Sequence, residues 1–181
     1  MFLLFVHKNH HSLSILCFLF SSELAVTATK TFLSENPNAP PEDIAEVVVN
    51  QQMASALKSY DKVHIFIRAA ITLDFFKNKE IPKYAPALSI ITNSNPIMER
   101  HLIAAMEAKC VEKPKIFPVM IKQFFDEDAL EEDVILEYAS EGRSEYTLDV
   151  VDEDTRAVLR GEMEPLVVWL QEADSDDSDE E

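Results

Sequence analysis

Six carboxylates fall within eight residues: Asp126, Glu127, Asp128, Glu131, Glu132 and Asp133. A second acidic run holds Glu172, Asp174, Asp176, Asp177, Asp179, Glu180 and Glu181. Paired carboxylates do acid–base work only where a pocket raises one pKa. Crowded along amphipathic segments, they instead read as a solvated face that attracts cations. The other chemistry-bearing residues are sparse. Cys17 and Cys110 form no CxxC pair, and Cys110 reads as a small buried hydrophobe. His7, His10 and His11 sit in HKNHH without partner ligands, which reads as a polar loop rather than a metal site. His64 and His101 lie inside helical patterns and read as surface or satisfied core histidines. The chain has no Gly-rich phosphate loop, no GxSxG and no HExxH. No catalytic residue, metal or cofactor is expected.

The acid is concentrated at one end. From Phe124 to Glu181 there are 22 Asp/Glu against three basic residues, Arg143, Arg156 and Arg160. The preceding residues carry 11 acidic against 13 basic, so the net −17 is about −19 from the last third and +2 from the rest. Such a surface attracts basic partners and repels nucleic acid and anionic membrane. Ser175 and Ser178 lie in this acid, and Ser178 precedes Asp179, Glu180 and Glu181, which suits an acidophilic kinase of the casein kinase 2 type. Phosphorylation at each site would add about −1.5 to −2.

The elements that must position these groups are helical. At 181 residues with 47% hydrophobic content and two glycines, the chain is long enough for one real core and poor in tight turns. SENPNAPP (34–41) is a breaker-rich linker. Pro41, Glu42 and Asp43 open a helix, and Asp61 can cap the next, which is apolar on more than one side as a central helix would be. Asn95-Pro96 is a cap-plus-first-turn signature, and Pro114 opens another helix. Glu131, Glu132 and Asp133 crowd the first turn of a helix through Tyr138, which Gly142 can stop. The last helix, from about Asp152 to Glu172, repeats Leu159, Met163, Leu166 and Leu170 on one stripe and contains Pro165. Tyr146-Thr147-Leu148 is the one weak strand signal. About seven helices with short connections predict an all-α fold, a HEAT-like stack of antiparallel helix pairs.

Within the two acidic runs, the apolar residues have their own pattern. FFDEDALEEDVILEY (124–138) places Phe124, Phe125, Leu130, Val134, Ile135 and Tyr138 to pack inward, and EPLVVWLQEADSDDSDEE (164–181) offers Leu166, Trp169 and Leu170. These segments resemble the two aromatic-acidic boxes that close the C-terminal HEAT-like domain of eukaryotic translation initiation factor 5. The same domain type ends the epsilon subunit of the factor 2B exchange factor and occurs in mimic proteins that copy the factor 5 C-terminus. The resemblance covers roughly Pro41 to Glu181 and is specific in the last 65 residues, where Gly142, Glu164-Pro165 and Trp169-Leu170 fall in the expected order. Phe124, Tyr138, Trp169 and Leu170 are the expected structural anchors.

The resemblance implies a cytoplasmic, monomeric adaptor whose carboxylates bind lysine-rich segments: the beta-subunit tail of factor 2, a factor 3 subunit, and factor 1. It implies equally a mimic that sequesters factor 2, or the exchange-factor domain. Two departures stand out. Tyr138 occupies the position of the usual first-box tryptophan. The GTPase-activating domain with which factor 5 begins, carrying an arginine and a four-cysteine zinc site, has no counterpart in these residues, so GTPase activation is not implied.

The expected organisation is an N-terminal segment and linker (1–40), the HEAT-like domain (41–173) and a polar tail (174–181) too acidic to fold. MFLLFVHKNHHSLSILCFLFSSELAVTA has three readings: a signal peptide with cleavage after Ala28, in which case the protein is secreted, a core helix, or a truncated or artefactual start. The poor fit of this start to the domain behind it favours the last. Lysines 77, 79, 83, 109, 113, 115 and 122 cluster near two helix junctions and read as ordinary surface residues.

Overall fold

In the computed structural model, the structure describes residues 6–141 and 145–176, with side chains from 20 to 141 and from 145 to 173. The described residues form nine α-helices and no strand: α1 (Val6–Glu35), α2 (Pro41–Ala54), α3 (Asp61–Ala70), α4 (Phe75–Asn78), α5 (Glu80–Thr92), α6 (Pro96–Cys110), α7 (Phe117–Asp126), α8 (Glu132–Ser140) and α9 (Glu153–Asp176). A single 3-10 turn, Pro114–Ile116, precedes α7. Contacts progress along the chain, α1 with α2 and α3, α3 with α5 and α6, α6 with α7 and α8, and these last two with α9. This is the all-α stack that the helical patterns predict.

Prolines and polar caps set the helix starts. Pro41 and Pro96 occupy first-turn positions, where a missing N–H costs nothing. The Asn95 side chain accepts from the N–H groups of Ile97 (3.0 Å) and Met98 (3.3 Å). The turns are built almost without glycine: Ala56, Lys79, Asn93, Ser94 and Asp128 all take positive φ. Gly142, the expected stop of α8, lies outside the described residues; α8 ends at Ser140, with Glu141 already extended.

One hydrophobic cluster runs through the described residues. Val63, Ile65, Phe66 and Ile67 of α3 are all essentially inaccessible, which confirms its central place. The stripe on α9, Leu159, Met163, Leu166 and Leu170, is buried as its spacing requires.

Four expectations need correction. The HKNHH segment and the apolar run after it belong to one helix, α1, rather than to a polar loop and a separate run; residues 1–5 lie outside the described residues. Its second half packs Ala25, Val26, Thr29 and Leu33 into the same core, and Arg68 of α3 bonds Ser22 and pairs with Glu23. Tyr146-Thr147-Leu148 is a turn between α8 and α9, where no neighbouring strand exists to pair with it. Asp61 does not cap α3 but is its first residue, and its carboxylate accepts from the N–H of Lys58 behind it (2.8 Å). Finally, α9 extends to Asp176, so the helix includes the first three residues of the segment expected to be tail.

Gly161 is exposed in the middle of α9, and a Cβ there would meet nothing within 4 Å. Gly161→Ala should therefore stabilise the fold by about 0.5–1 kcal/mol through the lower entropy of the unfolded chain, measured as a higher urea midpoint with unchanged slope.

Candidate functional site: an acidic turn over a buried ionic network

The first acidic cluster is a turn pinned by its own apolar residues. Phe117, Met120, Ile121 and Phe124 of α7 face the core. The chain then closes through three backbone bonds, Glu127 N–H to Gln123 (3.2 Å), Asp128 N–H to Phe125 (3.0 Å) and Ala129 N–H to Phe124 (2.9 Å). Asp128 takes a left-handed conformation, φ 54°, which an aspartate tolerates better than most residues. Ala129 and Leu130 dive into the core, so Asp126, Glu127 and Asp128 remain exposed on one side of them, and Glu131 and Asp133 on the other. Glu132 is half-buried. Glu131, Glu132 and Asp133 sit at the N-terminus of α8, where the helix dipole favours negative charge. The predicted carboxylates of the first run are thus brought together by one turn of chain. Glu172 is exposed on α9. Asp174, Ser175 and Asp176 have described backbone only, and Asp177, Ser178, Asp179, Glu180 and Glu181 lie outside the described residues.

Three of the four expected anchors are buried: Phe124, Tyr138 and Leu170. The fourth is not. Trp169 is 43% exposed. It neighbours Leu170 at the edge of the buried stripe, so about 100° of helical rotation turns it out of the core. Its ring meets Phe125 edge-on at 6.2 Å, and the Lys122 ammonium stands 4.5 Å from its centroid. Lys122 also bonds Asp126 (2.7 and 2.9 Å), four residues along α7. Trp169, Val119 and Pro118 line an open groove of about 580 Å³ between α7 and α9, to which α4 contributes Phe76.

Beneath the turn lies a network that periodicity did not reveal. Glu99 and Glu107 of α6 are both buried. Glu99 accepts from the N–H of Glu131 (2.9 Å), which ties the acidic turn to α6. Glu107 accepts from the Tyr138 hydroxyl (2.8 Å) and from Arg156 Nε (3.1 Å). The guanidinium carbons of Arg156 and Arg100 lie 5.3 and 5.8 Å from the Tyr138 ring centroid. Arg100 pairs with Glu141 at the end of α8, and Arg160 of α9 donates twice to the carbonyl of Ala139 (2.7 and 3.2 Å). Burial pushes Glu107 up, against the opposing pull of Tyr138, Arg156 and Arg100. Burial also pushes Tyr138 up, reinforced by the Glu107 carboxylate. The one signal in the sequence was two carboxylates eight residues apart on a helix otherwise rich in Leu, Ile, Ala and Met.

The histidines form a separate cluster. His101 stacks on Tyr60 at 4.0 Å, and His64 meets His101 edge-on at 5.6 Å. Both are buried, and neither ring nitrogen of His64 has a hydrogen-bond partner. Burial, then the charges of His101 and Arg68, push His64 down to about 4. Cys110 is buried and pushed up to about 12, an inert thiol. Among the described residues no cluster of three or more His, Cys, Asp or Glu is placed to hold a metal ion. No helix among them is long and apolar enough to cross a membrane.

Comparison with known families matches the region that contains the acidic turn and α9. Residues 98–180 match the family model described as W2: eIF4-gamma/eIF5/eIF2-epsilon. This segment is similar to W2 domains. The W2 domain is a protein-interaction domain rather than a catalytic one. In fold, the chain is similar to the solved C-terminal domain of translation initiation factor 5 at low pH, with a TM-score of 0.63 and 20% identity over 86% of this chain and 96% of that one. That likeness makes the stack HEAT-like. No curated protein sequence matches the chain. Tyr138, where the resemblance implies a tryptophan, places its hydroxyl on Glu107.

Two measurements check this account. Arg156→Met leaves Glu107 buried with the Tyr138 hydroxyl alone and should cost about 3–5 kcal/mol in urea unfolding, whereas Tyr138→Phe should cost about 1–3. The second concerns His64, which stays neutral in the fold while the unfolded chain takes up a proton below pH 6.5. Its contribution is complete above about pH 6.5 and is lost as pH falls towards 4, by as much as about 3 kcal/mol. The stability difference between wild type and His64→Leu should therefore move in the variant's favour from pH 7 to pH 4.5, and a difference independent of pH would refute the assignment.

Proposed function

We propose that this protein is an adaptor of translation initiation that binds lysine-rich segments of other initiation factors through its acidic turn and the acidic end of α9. The carrying observation is the pinned turn: buried Ala129 and Leu130 hold Asp126, Glu127, Asp128, Glu131 and Asp133 in water as a fixed array. A flexible acidic segment would have to be ordered at the moment of binding; this one is ordered in advance. The W2 match supports the initiation role. The resemblance supplies the partners, the lysine-rich beta-subunit tail of factor 2, a factor 3 subunit and factor 1, as well as a monomeric, cytoplasmic protein. Asp174, Asp176, Asp177, Asp179, Glu180 and Glu181 extend the same charge, and phosphate on Ser175 or Ser178 would strengthen it.

Each exposed ion pair contributes about 0–1 kcal/mol, so affinity comes from number, and association is fast and salt-sensitive. The lysine-rich beta-subunit tail should bind at low salt and lose at least about tenfold in affinity at 0.5 M salt. Neutralising Asp126, Glu127 and Asp128 together should flatten that salt dependence without lowering the melting temperature. Absence of binding at low salt would remove the proposal. Faster GDP release from factor 2 in the presence of the protein would replace it with the exchange-factor reading, since the W2 description also includes eIF2-epsilon.

A further inference from the structure

The groove between α7 and α9 is apolar where the surrounding surface is acidic. Phe76 is 68% exposed and Val119 and Trp169 are each 43% exposed, three large apolar side chains facing water across one depression. Isolated exposed apolar residues are ordinary, but a contiguous set in a concave site marks a place where something docks. The walls are charged. Asp126 and Glu162 line the groove together with Lys122, which pairs with Asp126 and stands over the Trp169 ring, and Glu127 and Asp128 follow directly on the acidic turn. Along α9, Glu162, Pro165 and Trp169 follow at intervals of three and four residues, which places them in one row on the helix surface. The carboxylates of Glu162 on α9 and of the acidic turn after α7 thus border the apolar floor.

From these features we infer that the groove takes one aliphatic or aromatic side chain from a partner segment whose lysines flank it on both sides. The inference rests on the adaptor reading and sharpens it: the carboxylates select lysine, and the groove selects which lysine-rich segment. The recognised pattern is thus a large apolar residue with lysines on either side of it. Charge argues against a second copy as the occupant, because a chain with net −17 is repelled by this rim.

The chain's only tryptophan lines the groove, so its fluorescence reports occupancy directly. Two peptides test the inference, identical in their lysines and differing only in a central Leu or Ser. The Leu peptide should bind at least about tenfold more tightly, the gain persisting at high salt because burial of apolar area is not screened. It should shift Trp169 emission to the blue, and the Ser peptide should not. Phe76→Ala and, independently, Val119→Ser should remove the Leu gain and leave binding of the Ser peptide unchanged. Both residues are exposed enough for their loss to spare the fold, which a melting curve verifies. Equal binding of the two peptides overturns the groove while leaving the adaptor reading intact. A Leu gain that leaves Trp169 emission unshifted, or that survives Phe76→Ala, overturns it as well. Failure of both peptides to bind removes the adaptor reading and the groove with it. Self-association in sedimentation that Phe76→Ala abolishes identifies the occupant as a second copy and overturns the assignment.

Discussion

Glu107 is 1% exposed, and its hydrogen-bond partners come from two other helices. A carboxylate in that position carries a desolvation cost of several kcal/mol unless its lone pairs are met. Tyr138 of α8 and Arg156 of α9 meet them together, and only one placement of the three helices allows both. A wholly apolar contact among α6, α8 and α9 would tolerate sliding by a turn at little cost. The ionic contact does not, because a shift strands a charge in the core. This constraint fixes where α8 begins and therefore where the acidic turn sits. Arg100 to Glu141 and Arg160 to Ala139 repeat the same fastening at the far end of α8.

The acidic turn inherits its rigidity from this arrangement. The N–H of Glu131 donates to the buried Glu99, so the turn is tied to α6 on one side and held by Ala129 and Leu130 in the core below. The exposed carboxylates can then repel one another without unfolding the segment that carries them. Alternation of anchor and acid along the chain thus has two physical roles: the anchors resist the repulsion, and the acids keep an aromatic-rich segment in water. The outward tryptophan follows a different logic. Trp169 does not hold α9 to the core, since Leu159, Met163, Leu166 and Leu170 do that. It makes an apolar surface beside a charged one.

Periodicity was enough to read the helices and most of the core. The Asn95 cap, the first-turn Pro41 and Pro96, and the α9 stripe are local features whose physics acts within a few residues, and each appears in the structure where the sequence placed it. Errors arose where a local pattern had to compete with tertiary packing. HKNHH looks like a loop because its residues are polar, yet the backbone there continues a helix. Tyr146-Thr147-Leu148 has strand-forming residues but no partner strand among the described residues. Trp169 looks like an anchor because tryptophan usually buries, but its azimuth on α9 lies beside the stripe rather than in it.

The sequence by itself determined an all-helical chain, the segregation of acid into its last third and the pairing of that acid with aromatic anchors, because residue type and spacing decide propensity, amphipathicity and charge. The tertiary structure alone decided which carboxylates are buried and which face water. Glu99 and Glu107 differ from Asp126 and Glu127 in nothing a composition can show. Their surroundings differ, since a carboxylate's state depends on the groups that long-range packing brings within a few ångströms, here an amide from the acidic turn, a phenol from α8 and a guanidinium from α9.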